Sequence, residues 1–185
     1  FTTGFTMDPL AVSEESNRNR TTLEWMQEMA AKKELAITGS FVVREDNHFY
    51  NRLYFVRPDG EYHQYDKRHL FRMAKEHQHY SSGAQKLILE YHGWRICPMI
   101  CYDLRFPVWS RNRDDYDLLL YVANWPAARK LHWQTLLKAR AIENLSYVAG
   151  VNRTGVDGNG VTYEGSSMLF DAQGQTLIDA GQDID

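Results

Sequence analysis

Two spacings of apolar positions run through this chain, and each predicts a different element. Between Asn17 and Lys33, Leu23, Met26 and Ala30 recur at helical intervals. Asn19 and Thr21 are candidate caps, and Lys32 and Lys33 suit the last turn, where the helix dipole favours cations. Leu35–Val43 is β-rich. His48–Arg57 predicts a strand with Phe49, Leu53 and Phe55 on one parity and Tyr50 and Tyr54 on the other. Pro58-Asp59-Gly60 is a turn, and Glu61–Tyr65 returns from it to Asp66-Lys67-Arg68-His69. Leu70–Gly83 is a polar loop.

The second half repeats the exercise with shorter, more apolar runs. Lys86–Tyr91 and Arg95–Cys101 predict strands around a His92–Gly93 turn, and Phe106–Asn112 predicts a short helix with Pro107 in its first turn. Asp117–Ala123 is a short buried strand. Asn124–Arg129 loops around Pro126. Lys130–Leu145 predicts a helix whose stripe is Leu131, Leu136, Leu137, Ala141, Ile142 and Leu145. Ser146–Val151, Val161–Phe170 and Gln175–Ala180 predict strands, with a turn-like, glycine-rich Gly155–Gly160 between the first two. Helices alternate with buried strands in the middle and hairpins flank them. That pattern implies an α/β fold with a mixed sheet, or two sheets under helices, in one domain over residues 1–185.

Composition narrows the classes. The chain has 185 residues and a net charge of -3, which gives no reason to expect nucleic acid or an anionic membrane as partner. No apolar run has membrane-spanning length, and the opening FTTGFTMDP lacks the basic start and apolar core of a signal peptide. The two cysteines are Cys97 and Cys101. On one extended strand their Cα atoms lie about 13 Å apart, too far for a disulfide. Two unpaired thiols point to a reducing compartment, the cytoplasm.

Cys101 closes an apolar strand and opens a polar, proline-containing loop, the position from which rigid scaffolds present catalytic side chains. A lone cysteine is more often structural. As a nucleophile it would need a base, a positive group for the developing oxyanion, and something to hold both. Lys67, at the end of the hairpin, is a candidate positive group, although most lysines are surface charges. Glu76 is a candidate carboxylate on the polar loop. His77 and His79 have no further ligand cluster at zinc-like spacing, so a metal site is not expected. Arg105 and Arg129 match carboxylate geometry, and a structural ion pair with Asp103 or Glu143 is as reasonable a fate for Arg105.

The order of these elements outweighs any one of them. Tyr65-Asp66-Lys67-Arg68-His69-Leu70-Phe71, then Glu76 with Gly83 after it, then Ile100-Cys101-Tyr102-Asp103-Leu104-Arg105-Phe106-Pro107, resembles the nitrilase superfamily of carbon–nitrogen hydrolases. The resemblance continues through Tyr121-Val122-Ala123-Asn124-Trp125-Pro126, His132-Trp133, Ala139-Arg140-Ala141-Ile142-Glu143-Asn144 and Asn152-Arg153, and is nearest to an omega-amidase-like branch. It implies a four-layer α-β-β-α sandwich and a Glu–Lys–Cys triad without cofactor or metal. Cys101 matches the nucleophile, Lys67 the catalytic lysine and Glu76 the assisting glutamate. The Tyr102 backbone N–H and Lys67 match the oxyanion donors. The general-base glutamate is expected just before Phe1-Thr2-Thr3-Gly4-Phe5, which resembles the stretch that follows it. On this reading the chain is a fragment, short at both ends.

The implied reaction is hydrolysis of a small-molecule amide to carboxylate and ammonia through a Cys thioester, with a 2-oxo dicarboxylic acid monoamide such as 2-oxoglutaramate as substrate. Arg105, Arg129, Asn124, Trp125 and Phe5 are the expected substrate-binding residues, and a homodimer is the expected assembly. A nitrilase or another aliphatic amidase, a non-catalytic homologue lacking the base, and a Cys–His hydrolase remain open alternatives.

Overall fold

The computed structural model describes residues 4–18 and 20–181. Phe1–Thr3 and the candidate cap Asn19 lie outside the described residues. The chain divides between Gln85 and Lys86 into two compact units.

The first unit is a helix on a four-stranded sheet. The strands β1 (Glu14–Glu15), β2 (Ile37–Glu45), β3 (His48–Val56) and β4 (Tyr62–Asp66) lie side by side in chain order. β1 runs parallel to β2; the other pairs are antiparallel. Helix α1 (Thr21–Lys33) lays Leu23, Met26 and Ala30 on Phe41, Val43, Tyr54 and Val56. Helical spacing on one side and strand alternation on the other therefore meet in one core. Phe41 stacks on Tyr54 with ring centroids 5.0 Å apart. α1 stops at Glu34, whose left-handed backbone (φ 54) returns its N–H to Ala31. The hairpin turn closes at Gly60, also left-handed at φ 86.

Buried on this sheet, Arg52 is 2% exposed. It donates to both Asp66 oxygens at 2.7 and 2.9 Å and to Glu45 at 2.7 Å. Burial works against its charge, but the two carboxylates more than offset that and raise its pKa. The ion pair fixes the end of β4, one residue before Lys67.

The second unit is a six-stranded sheet in the order β12-β11-β8-β7-β6-β5. These strands are Thr176–Asp179, Met168–Phe170, Tyr147–Asn152, Leu118–Ala123, Trp94–Ile100 and Leu89–Tyr91. β6, β7 and β8 are parallel; β5, β11 and β12 join antiparallel at the edges. Ile100 pairs with Val122 and Ala123 with Asn152, so the C-terminal ends of three parallel strands share one edge. In open α/β sheets that is the edge where ligands bind.

A short helix α2 (Pro107–Ser110) follows β6, and α3 (Lys130–Asn144) lies on β8 and β11. α3 corrects the expected stripe. Its buried residues are Trp133, Leu137, Arg140, Ala141 and Asn144, whereas Leu131, Ile142 and Leu145 are exposed. Two polar side chains sit on the inner face because they have partners there: Arg140 donates to the Leu104 carbonyl and Asn144 caps the Asn112 amide. α3 approaches β8 so closely that a Cβ on Gly150 would lie 2.4 Å from Leu137 Cδ1.

The expected strand Val161–Phe170 is broken. Gly165 and Ser166 take φ 59 and φ 56, which splits it into β10 (Thr162–Glu164) and β11. β10 instead pairs antiparallel with β9 (Thr154–Val156), making a separate hairpin of what had been expected as a turn. Among the described residues, no helix is long and apolar enough to cross a membrane.

Candidate active site

Lys67 begins where β4 ends. Its backbone is held from both sides, by N–H donation to Asn51 O and acceptance from Gly83 N, each at 2.9 Å. The second contact requires glycine at 83, because a Cβ there would lie 2.1 Å from the Asp66 carbonyl oxygen. The polar loop thus folds back onto the strand end. It carries Glu76 to the ammonium: Lys67 Nζ donates to Glu76 Oε2 and Oε1 at 2.7 and 3.0 Å. Lys67 is 1% exposed and Glu76 0%. A second donor, the Phe71 N–H, reaches Glu76 Oε2 at 2.5 Å. A buried charge pair survives only with such added hydrogen bonds. The Phe5 ring lies 5.7 Å from Lys67 Nζ and packs at 6.3 Å on Phe71. Phe5 therefore packs beside the lysine. Tyr80, from the same loop, ties this segment down through Tyr80 O–H to Thr6 O at 2.8 Å.

Cys101 begins where β6 ends. Ile100 is still extended, and Cys101 turns sharply into the left-handed region at φ 46 as the first residue of a 3₁₀ segment, Cys101–Arg105. A non-glycine residue held there costs about 1–3 kcal/mol, and such residues cluster at functional sites. The turn is fixed from within: the buried Asp103 carboxylate accepts the Ile100 N–H at 3.2 Å. The thiol is half-buried and donates to the Asn124 carbonyl at 3.8 Å. Cys97, four residues earlier in the strand, is fully buried, and burial pushes its thiol up to about 12. The two cysteines are both free.

Asn124 follows β7 on the same edge. Its side-chain oxygen and nitrogen are both buried without a hydrogen-bond partner among the described residues. Asn152, at the end of β8, holds the loop that follows by pairing with Trp125 N and O. Trp125 is 4% exposed; it packs on Trp133 at 5.5 Å and donates Nε1–H to the Arg129 carbonyl. Trp125 is therefore part of the packed interior. Arg105 pairs with neither Asp103 nor Glu143: its guanidinium lies 5.0 Å over the Trp125 ring and donates to His132 Nδ1 at 2.8 Å. Glu143 pairs with Arg140. Among the described residues, no group of three or more His, Cys, Asp or Glu side chains is placed to hold a metal ion.

Two residues beside this edge were not among the expected site residues, although Arg153 stood in the motif that carries the resemblance. Arg153 follows β8, and its N–H reaches Ala123 O at 3.3 Å. Tyr163 stands on β10 with Arg153 stacked 4.7 Å over its ring. The Asp157-Gly158-Asn159-Gly160 run signals only a turn; the three-residue strands beside it are too short to show alternation.

The carbon–nitrogen hydrolase family model matches residues 1–185. The omega-amidase YafV of Yersinia enterocolitica is 53% identical over 180 residues, covering 97% of this chain and 69% of the relative. The 2-oxoglutaramate amidase of Bacillus subtilis is 34% identical over 190 residues, covering 99% and 71%. Among solved structures, XC1258 from Xanthomonas campestris, a CN-hydrolase superfamily protein with an arsenic adduct in its active site, superposes with a TM-score of 0.95 at 47% identity, over 100% of this chain and 72% of that one. The α/β fold expected from the resemblance is the fold found, and the chain belongs to the carbon–nitrogen hydrolase family.

Proposed function

We propose that this protein is an ω-amidase that hydrolyses the terminal amide of a 2-oxo dicarboxylic acid monoamide such as 2-oxoglutaramate. The observation that carries the reading is Cys101, a half-buried thiol on a left-handed turn at the ligand-binding edge of a parallel sheet. The relatives named omega-amidase and 2-oxoglutaramate amidase support the choice of substrate.

The chemistry follows from what a thiol nucleophile needs. A carboxylate base takes the Cys101 proton, and the thiolate attacks the amide carbon. The Lys67 ammonium and the Tyr102 N–H stabilise the oxyanion; a single such donor contributes about 10²–10³ in rate. Glu76 fixes the ammonium at 2.7 Å in a buried setting. The C–N bond breaks, the base returns its proton to the departing ammonia, and a thioester remains. Water, deprotonated by the same base, hydrolyses it to the acid and regenerates the thiol. Asn124 offers a buried donor and a buried acceptor, the pair a primary amide complements. Arg105 and Arg129 are expected cationic side chains for the acyl end, and Asn124, Trp125 and Phe5 are further expected substrate-binding residues. The accompanying proposals are a homodimer and a cytoplasmic location.

The test is ammonia release by the full-length protein from 2-oxoglutaramate, a simple aliphatic amide and the matching nitrile. The ω-amide should have the highest kcat/KM. Faster turnover of the simple amide or the nitrile would replace this reading with that of an aliphatic amidase or a nitrilase.

A further inference from the structure

An ω-amidase must recognise an acid group about four bonds from the carbon it attacks. The cationic side chains around Cys101 are not equally available for that. Arg105 is stacked on Trp125 and already donates to His132. Arg153 is placed differently. It follows β8, two strands across the sheet from the end of β6 where Cys101 stands. With neighbouring strands about 4.8 Å apart, the two Cα atoms are about 10 Å apart across the edge. A five-carbon ω-amide spans about 5 Å between its terminal carbons, and an arginine side chain covers the remainder.

The guanidinium is oriented without being consumed. Its Cζ lies 4.7 Å over the Tyr163 ring, and among the described residues its one hydrogen bond is from Nε to the Thr154 carbonyl at 3.3 Å. Both Nη groups, the fork that fits a carboxylate, donate to no described residue. Tyr163 is itself fixed: it is 4% exposed and donates O–H to Asp157 Oδ2 at 2.8 Å. The Asp157 carboxylate also accepts the Asn159 and Val161 amides at 2.9 and 3.0 Å; the Arg153 charge favours its ionised form, but among the described residues no ion pair within 4 Å joins the two. Lys130–Glu164, at 3.3 Å, anchors the other end of the hairpin to the start of α3. Burial and the Asp157 carboxylate push the Tyr163 phenol up.

We infer that Arg153, held over Tyr163 by the Thr154–Glu164 hairpin, is a further specificity-determining residue and takes the carboxylate end of the substrate. The inference rests on the ω-amidase reading and adds to it the group that selects an acid over a neutral amide. Because the amide carbon is attacked elsewhere, Arg153 should act on substrate recognition and leave the chemistry of neutral amides intact.

The experiment measures kcat/KM in the full-length protein for 2-oxoglutaramate and for its carboxyl methyl ester, in wild type, Arg153→Gln, Arg153→Lys and Arg105→Gln. Arg153→Gln should lose about 10–100-fold on the acid, mostly through KM, while the ester changes little. Arg153→Lys, which keeps the charge but not the fork, should recover part of that loss. Equal losses on acid and ester would mark Arg153 as structural and overturn the inference. So would an acid preference that Arg153→Gln spares and Arg105→Gln abolishes, or a wild type that treats acid and ester alike. A wild type that hydrolyses neither substrate would fail at the level of the ω-amidase reading and take this inference with it.

Discussion

Lys67 and Cys101 each stand at the point where a strand ends and the chain turns, and their surroundings differ in kind. The lysine end is closed. The ammonium is buried against a carboxylate that is itself buried and bonded to the Phe71 amide, and Gly83 lets the loop press onto the strand. The cysteine end is half open, and the chain leaves β6 there in a strained, left-handed conformation. One site has its geometry fixed by satisfied charges, which suits a group that must stay charged and still. The other stores backbone strain to lift a side chain off the sheet, which suits a group that must be reached by substrate. Cys97 shows what the same residue becomes inside the strand: a buried, inert thiol.

The largest expected effect comes from opening the closed end. Glu76→Ala strands a buried ammonium and should cost about 3–5 kcal/mol of stability, read as a lower denaturant midpoint, together with a large loss of activity. Glu76→Gln, which keeps a hydrogen-bond acceptor, should cost less. If Glu76→Ala left the midpoint unchanged, the pair would not be the fixed element described.

The next effect contrasts the two cysteines. A thiol-alkylating reagent at pH 8 should modify native protein once, at Cys101, and a second adduct should appear only in denaturant. Two adducts on the native protein would remove the distinction between the strand interior and its end. A smaller effect reads the strain itself. Cys101→Gly should be more stable than Cys101→Ala by about 1 kcal/mol, because glycine takes φ 46 without penalty; the opposite order would mean the turn is unstrained.

The smallest effect is on pH. The Arg52 hydrogen bond, opposed by partial burial, holds Glu45 below its usual carboxylate range. A lowered folded-state pKa gives stability that is complete above the unfolded value, near pH 4.3, and is lost as pH falls through the folded value. The pair is partly exposed, so the contribution should be no more than about 1 kcal/mol. Glu45→Gln should lower stability at neutral pH by no more than about 1 kcal/mol, and its difference from wild type should disappear as pH falls below about 4; a deficit that persisted or grew in acid would contradict the assignment.

How much of this was legible in the sequence follows the length of each signal. α1 and its hairpin announced themselves because Leu23, Met26 and Ala30 keep helical spacing and Pro58-Asp59-Gly60 has a single strong meaning. The lysine and cysteine ends were visible only as ordered motifs, since no periodicity distinguishes a buried lysine from a surface one. α3 was misread where apolar residues face outward and Arg140 and Asn144 face inward, because burial there follows hydrogen-bond partners that lie far away in sequence. The Thr154–Glu164 hairpin, and with it the pairing of Arg153 with Tyr163, was hidden because a glycine-rich turn swamps two strands of three residues each. The left-handed backbone at Cys101, the strongest local mark of a functional position, has no sequence signature, since cysteine does not prefer it.

The most direct measurement of the central claim is ammonia release from 2-oxoglutaramate by the full-length protein and by its Cys101→Ala variant, with melting curves taken on both. The expected result is turnover by the wild type, a loss of at least about 10³-fold in the variant, and a folded variant. A folded Cys101→Ala protein that releases ammonia at the wild-type rate would contradict the account.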